Sequence, residues 1–235
     1  MKRKKIWALV AAGMVLCAVG GGSTLAYLTD QTDTIQNEFT IGDVDIETID
    51  TYTPPEDELV PNEQVEKTVS VKNIGKNDAV VFAEITVPMA ECTTVADDGS
   101  KGTKTLQDLV FLQQSGDPIT LQENHFSDTW ELLEDKEDAD SKIHTYIFGF
   151  KSLLAEGSQA DNLFEQYQLR NIIENEVAGG TTLQIGIKSY GIQAANIVGD
   201  DGVIDTSVSM EKETLTDIYN HLVRQSGDSD ALIQG

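Results

Sequence analysis

The sequence predicts a mainly β chain, an antiparallel β-sandwich with a few short helices and a C-terminal amphipathic helix. Three observations predict it. Short segments between residues 40 and 193 alternate apolar and polar residues with the period of a strand. Turn clusters separate them. Sustained helical spacing of apolar residues begins only near the end. Pattern alone leaves a jelly roll and an immunoglobulin-like sandwich both open.

A different kind of sequence stands ahead of the strands. Lys2, Arg3, Lys4 and Lys5 precede an apolar run from Ile6 to Val19. That run is shorter than the roughly 20 residues of a spanning helix. Gly20-Gly21-Gly22-Ser23 breaks a helix, and Thr24-Leu25-Ala26 offers the small residues a signal peptidase accepts. The pattern is that of a secretory signal peptide over residues 1–26, cut between Ala26 and Tyr27, with no stable membrane span left after processing. Leu16, before Cys17, is too large for a lipoprotein start.

The stretch Gly20-Gly21-Gly22-Ser23-Thr24-Leu25-Ala26-Tyr27-Leu28-Thr29-Asp30 resembles the leader of proteins processed by SipW-type signal peptidases, the TasA/camelysin-like family. The likeness continues in Asn37-Glu38-Phe39-Thr40-Ile41-Gly42-Asp43-Val44-Asp45-Ile46, which is similar to that family's first strand. Ser189-Tyr190-Gly191-Ile192-Gln193-Ala194 resembles the closing strand of proteins with such leaders. The resemblance implies a jelly-roll-like sandwich and a SipW-like signal peptidase as partner. It further implies a place in the extracellular matrix or on the surface of a Gram-positive-type bacterium. Its TasA branch forms biofilm fibres, and its camelysin branch is described as a metalloprotease.

Charge narrows the partners. Four of the 16 basic residues lie in the leader and none of the 40 acidic ones does, so a chain starting at Tyr27 carries 12 against 40, a net charge of −28. Nucleic acid is excluded as a partner, because binding it requires neutralising phosphates with Lys and Arg. Such acidity suits a solvated extracellular surface, or one that takes up cations. Cys17 leaves with the leader, so Cys92 stands alone and forms no intramolecular disulfide. It reads as a small buried hydrophobe.

Residues 27–38 are polar and form an extended N-terminal arm. The sandwich is expected over 39–208, a helix over 209–225 and a flexible tail over 226–235. Thr40–Asp50 alternates as a strand, with Val44 and Ile46 on one face. Asp50–Asn62, with Pro54, Pro55 and Pro61, is a loop. Val65–Lys72 places Val65, Val69 and Val71 on one face, and Ala79–Val87 does so with Val81, Ala83, Ile85 and Val87. Between them Asn73–Asp78 is a turn, so the unit predicts a hairpin, with Pro88 stopping its second strand.

Asp97–Gly102 reads as a surface turn, and Leu106, Leu109, Val110 and Leu112 predict a short helix within Thr105–Gln113. Ile119–Leu121, Thr129–Leu133 and Ile143–Phe150 read as strands, with an acidic turn over Asp135–Asp140. The face His144, Tyr146, Phe148, Phe150 is expected in the core. Leu153–Ser158 is a turn, Asp161–Phe164 suggests a helical turn, and Gln166–Ile173 stays open between strand and helix. Thr181–Gln193 is the clearest late strand, and Gly199–Gly202 is a turn. In the last element Leu215, Ile218, Tyr219, Leu222 and Val223 fall at helical spacing, with Ser209 as N-cap and Gly227 as terminator. This stripe is expected against the protein's own sheet.

The residues show no catalytic site and no cofactor or metal site. A His-Glu-x-x-His helix, which would set two imidazoles on one face, is missing. The three histidines, His125, His144 and His221, fall on a loop, a strand and a helix. There is no Gly-x-Ser-x-Gly elbow and no phosphate loop, and Cys92 has no neighbouring His to activate it. Asp200-Asp201-Gly202-Val203-Ile204-Asp205 lacks the spacing of an EF-hand and reads as a plain turn.

What remains is assembly. The resemblance implies that cleavage at Ala26 frees an arm, with Tyr27, Leu28, Ile35 and Phe39 as its candidate donor residues. The arm then adds to a neighbouring subunit's sheet, or pairs within its own chain. The expectation is a non-enzymatic structural protein of the surface or matrix, self-associating or meeting other matrix or wall proteins. The alternatives are a camelysin-like surface metalloprotease and a monomeric surface-binding module.

Overall fold

The computed structural model describes residues 44–53, 60–96, 98–173, 176–177, 183–195, 197–199, 202–203, 210–227 and 232–233. The signal peptide, its cleavage position, the arm with Tyr27, Leu28, Ile35 and Phe39, Ser209, and the acidic residues Asp200, Asp201 and Asp205 lie outside them.

Among the described residues the strands are β1 (Ile46–Tyr52), β2 (Gln64–Asn73), β3 (Ala79–Cys92), β4 (Thr105–Asp108), β5 (Val110–Gln113) and β6 (Trp130–Asp138). They continue with β7 (Ile143–Phe150), β8 (Phe164–Leu169), β9 (Gly186–Gln193), β10 (Val198–Gly199) and β11 (Gly202–Val203). The helix α1 (Lys212–Ser226) follows. One sheet has the order β1-β2-β8-β5; the second has β4-β3-β7-β6, with β9 also on β3. Every named pair is antiparallel. The chain changes sheet between β2 and β3, between β4 and β5, between β5 and β6, between β7 and β8, and between β8 and β9. That winding is a jelly-roll-like sandwich.

Two cores follow from the two faces of the second sheet. Val69 and Val71 of β2, Leu112 of β5 and Phe164 and Tyr167 of β8 meet Val81, Ile85 and Phe148 of β3 and β7 between the sheets. On the outer face, Val80, Phe82, Leu133 and Ile147 are covered by Leu215, Ile218, Tyr219 and Val223 of α1. The apolar stripe of the helix therefore packs on the protein's own sheet, as its spacing predicts. Burying four such side chains contributes about 1.5–3 kcal/mol each. The N-cap position is Glu211 rather than Ser209, without a side-chain cap, and Gly227 ends the helix in the left-handed conformation.

Val71 and Val81 do face a common core, but not as a hairpin. β2 pairs with β1 and β8, while β3 pairs with β7, β9 and β4. The turn 74–78 is an arch that carries the chain from one sheet to the other. Asn73 builds it: its Nδ2 donates to the Asn77 and Leu154 carbonyls at 2.8 Å, and its Oδ1 accepts from Gly75 N–H.

Pro88 does not stop β3. Its carbonyl accepts from Leu109 N–H, so its nitrogen points to the same edge. There β9 has ended at Thr86 and β4 begins only at Met89. A residue without an N–H fits a gap in the ladder.

The helix expected within Thr105–Gln113 is instead β4 and β5. Val110 to Gln113 are buried without period, since both faces are covered, and a short apolar run carries no helical signal of its own. Asp161–Phe164 is not helical; Leu163 N–H bonds to Val69 O and leads into β8. Gln166–Ile173 resolves to strand as far as Leu169. Ile119–Leu121 is a turn, with Ile119 exposed. β6 runs through the expected acidic turn to Asp138, because β7 pairs with it along that whole length. The reversal there is at Lys142, which has a positive φ. β1 starts at Ile46 and extends beyond Asp50 to Tyr52. β9 starts at Gly186, later than Thr181. The expected flexible tail is docked at Leu232 and Ile233: Ile233 N–H and C=O bond both ends of the Asn220 amide.

Candidate functional site

Alternation along β7 aims His144, Tyr146 and Phe148 into the sandwich. Asp135 is carried on β6, opposite Tyr146 in register. Asp108 is the last residue of β4, just before the chain crosses to β5 in the other sheet. These placements bring two carboxylates to one imidazole. His144 Nδ1 lies 2.9 and 3.0 Å from the two Asp108 carboxylate oxygens, and Nε2 lies 2.5 Å from Asp135 Oδ1.

The surrounding groups are bonded too. Tyr146 donates its hydroxyl proton to Asp108 Oδ2 at 2.9 Å and accepts from Asn124 Nδ2 at 2.9 Å. Arg170 Nε donates to the Asp108 backbone carbonyl, and its guanidinium lies 4.0 Å from the Phe111 ring centre.

Burial pulls the His144 pKa down, but the Asp135 hydrogen bond and the Asp108 charge outweigh it, so the ring titrates above its ordinary range. Burial and the Asp108 charge push the Tyr146 phenol up. Burial lowers Arg170, against the attraction of Asp108. Burial pushes the Cys92 thiol up, so it behaves as the apolar residue expected.

The geometry of this cluster suits a proton shared between carboxylates and does not fit a metal ion. The carboxylates bond opposite edges of the ring directly, with no common point left for an ion. Among the described residues no group of three or more His, Cys, Asp and Glu is arranged to hold one. The other histidines lie elsewhere. His125 is half exposed, with Nδ1 2.8 Å from Asp117 Oδ2. His221 sits on α1 beside Gln225, and the second sheet separates it from His144. Acidic turn residues 200–201 and 205 lie outside the described residues.

A second buried polar pair occupies the open end of the first sheet. Lys67 and Asp50 lie on the inner faces of β2 and β1, with the Tyr52 ring over the ammonium.

Neither cluster was named from sequence. The signal for His144 was its place on an aromatic face expected in the core, where an imidazole needs partners. The partners, nine and 36 positions away, could not be identified without the strand register. Lys67 shares the parity of Val65, Val69 and Val71, a similar signal.

The geometry defines a jelly-roll-like β-sandwich protein with buried polar staples and a helix-covered outer sheet. The camelysin metallo-endopeptidase family matches residues 1–175, and the chain belongs to that family. It is thus a secreted or surface protein in general terms, and β9 and α1 lie beyond the matched residues. Comparison with curated proteins and with solved structures gives no match. Among the described residues no helix is long and apolar enough to cross a membrane.

The family's description implies a metal. The described residues do not fit one, because each His144 nitrogen is already bonded to a carboxylate and the three histidines stand on different layers.

Proposed function

We propose that this chain is a non-enzymatic structural protein of the bacterial cell surface or biofilm matrix, freed for assembly when a SipW-like peptidase cuts between Ala26 and Tyr27. One observation carries the reading. The segment with Tyr27, Leu28, Ile35 and Phe39 precedes β1 in the chain, and among the described residues β1 stands at an edge of the first sheet. Val44 and Ile46 anchor the chain there in the core. A polar arm tethered at a sheet edge can pair with a neighbour's edge, and a head-to-tail contact of that kind does not close.

Electron microscopy of two forms tests it, one starting at Tyr27 and one with an extension before Tyr27. Filaments from the first alone are expected. Monodisperse monomers from both would replace this reading with a surface-binding module.

The family's description favours a second reading, a surface metallo-endopeptidase. Metal analysis of the purified protein, with a casein digestion assay under zinc and under chelator, separates the two. Stoichiometric zinc with chelator-sensitive cleavage would establish the second.

A further inference from the structure

We infer that His144 is a constitutive imidazolium clasp that pins the β4–β5 crossover to the β6–β7 hairpin, and that its deprotonation releases β4 from the edge of β3.

The proton count follows from geometry. Asp108 meets Nδ1 and Asp135 meets Nε2. A neutral ring has one N–H, so one carboxylate would then face a ring lone pair. The Tyr146 hydroxyl lies 2.9 Å from both Asp108 Oδ2 and His144 Nδ1, and it does not relieve this: a proton turned to Nδ1 would be taken from Asp108, which would still face a neutral ring without a donor. Only the doubly protonated ring satisfies both carboxylates.

Asp135 and its exposed strand-mate Glu137 face the ring from β6, Glu137 being its register partner. Asp108 faces it from the end of β4, and Tyr146 from β7 itself. Val87 is its partner on β3. Arg170, bonded to the Asp108 carbonyl, is a cation beside Asp108. With one ring proton gone, one of Asp108 and Asp135 loses its donor, and Asp108 keeps Arg170 as a nearby positive charge.

β4 is the element such a change would release. It has four residues, and among the described residues its ladder is with Met89–Cys92 of β3. The adjoining groove, about 430 Å³, is lined by apolar residues such as Met89 and Leu183 and by the charged Glu91, Lys104, Lys142 and Glu176. β9, on the same edge of β3, is eight residues long and has no part in the clasp. The direction follows from linkage. A histidine whose folded pKa is raised stabilises fully below its unfolded value, and this is lost as pH rises through the folded value.

Two measurements on the full chain test the clasp. The first is the ¹⁵N shifts of the His144 ring nitrogens at about pH 6.5, where an ordinary exposed imidazole is half titrated. Both nitrogens protonated is the expected result; an unprotonated ring nitrogen at that pH would overturn the inference. The largely exposed Asp135 allows a variant that keeps the fold, and Asp135→Asn is expected to move the His144 midpoint to lower pH.

The second is amide exchange, corrected for intrinsic rate, followed across that midpoint. Amides paired between β4 and β3 are expected to lose protection by about tenfold or more while those of β9 keep theirs. If β4 and β9 change together, or neither changes, the release is refuted.

Discussion

Lys67 Nζ lies 2.6 Å from Asp50 Oδ1 on the inner faces of β2 and β1, with the side chains 3% and 8% exposed. Two charges taken out of water attract strongly, but desolvating them costs about as much. The pair therefore specifies the pairing of β1 on β2 more than it stabilises the fold. Lys67→Met should cost about 3–5 kcal/mol, because it removes the ammonium bonded to the buried Asp50 carboxylate. Lys67→Met with Asp50→Leu should recover most of that loss. Urea denaturation of the two singles and the double closes the cycle, and additive losses would refute the coupling.

Gly191 marks where the two sheets close on each other. A Cβ there would lie 2.9 Å from Ile46 Cγ2 and 3.3 Å from Val44 Cγ1. Gly191→Ala should destabilise by about 1–3 kcal/mol, as overpacking does. A lowered thermal midpoint is the measurement. The same change at Gly157, a turn glycine with nothing near its Cβ position but φ of 73°, should act through backbone strain alone.

α1 is a cover, not a free partner-binding helix. Leu215 is fully buried and its methyls would lie 3.0 and 3.1 Å from a Cβ on Gly149. Leu215→Ala should cost about 2–5 kcal/mol. Deleting residues 210–225 should expose Val80, Phe82 and Ile147, raise dye binding to apolar surface and promote aggregation. A deletion that stayed soluble with an unchanged melting temperature would restore the partner-binding reading.

Charge sets the conditions for any fibre. At −28 from Tyr27 onward, subunits repel one another. Assembly should quicken with salt, divalent cations or mild acid, each of which weakens that repulsion. Light scattering across ionic strength and pH checks it; fastest growth at low salt and neutral pH would contradict it.

Asn73 holds the arch between the sheets through the Asn77 and Leu154 carbonyls and Gly75 N–H. Asn73→Ala removes all three bonds in a buried place, at a cost of about 1–3 kcal/mol. The loss is read as a shift of the urea midpoint.

Much of this architecture was legible in the chain. Alternation located β2, β7 and the inner faces of β3, because side-chain direction in a strand is a local property with period two. The spacing of Leu215, Ile218, Tyr219 and Val223 located α1 and its buried stripe for the same reason at period 3.6. Cys92 was readable as a buried apolar residue from its isolation. The partners of strands were not readable. Val65–Val87 looks like a hairpin because a turn cluster records a reversal and not the sheet in which the chain resumes. The β4–β5 segment looked helical because residues covered on both faces lose their period. Pro88 looked like a stop because its tolerance depends on the gap between β9 and β4, built from residues about 20 and 100 positions away.

The sequence by itself therefore determined the class of fold, the covering helix and the acid surface, all set by composition and short-range period. Only the tertiary structure decided which sheet each strand joins. That pairing alone brought Asp108, Asp135 and His144 to one point, since long-range register, not local preference, chooses the neighbours of a buried charge.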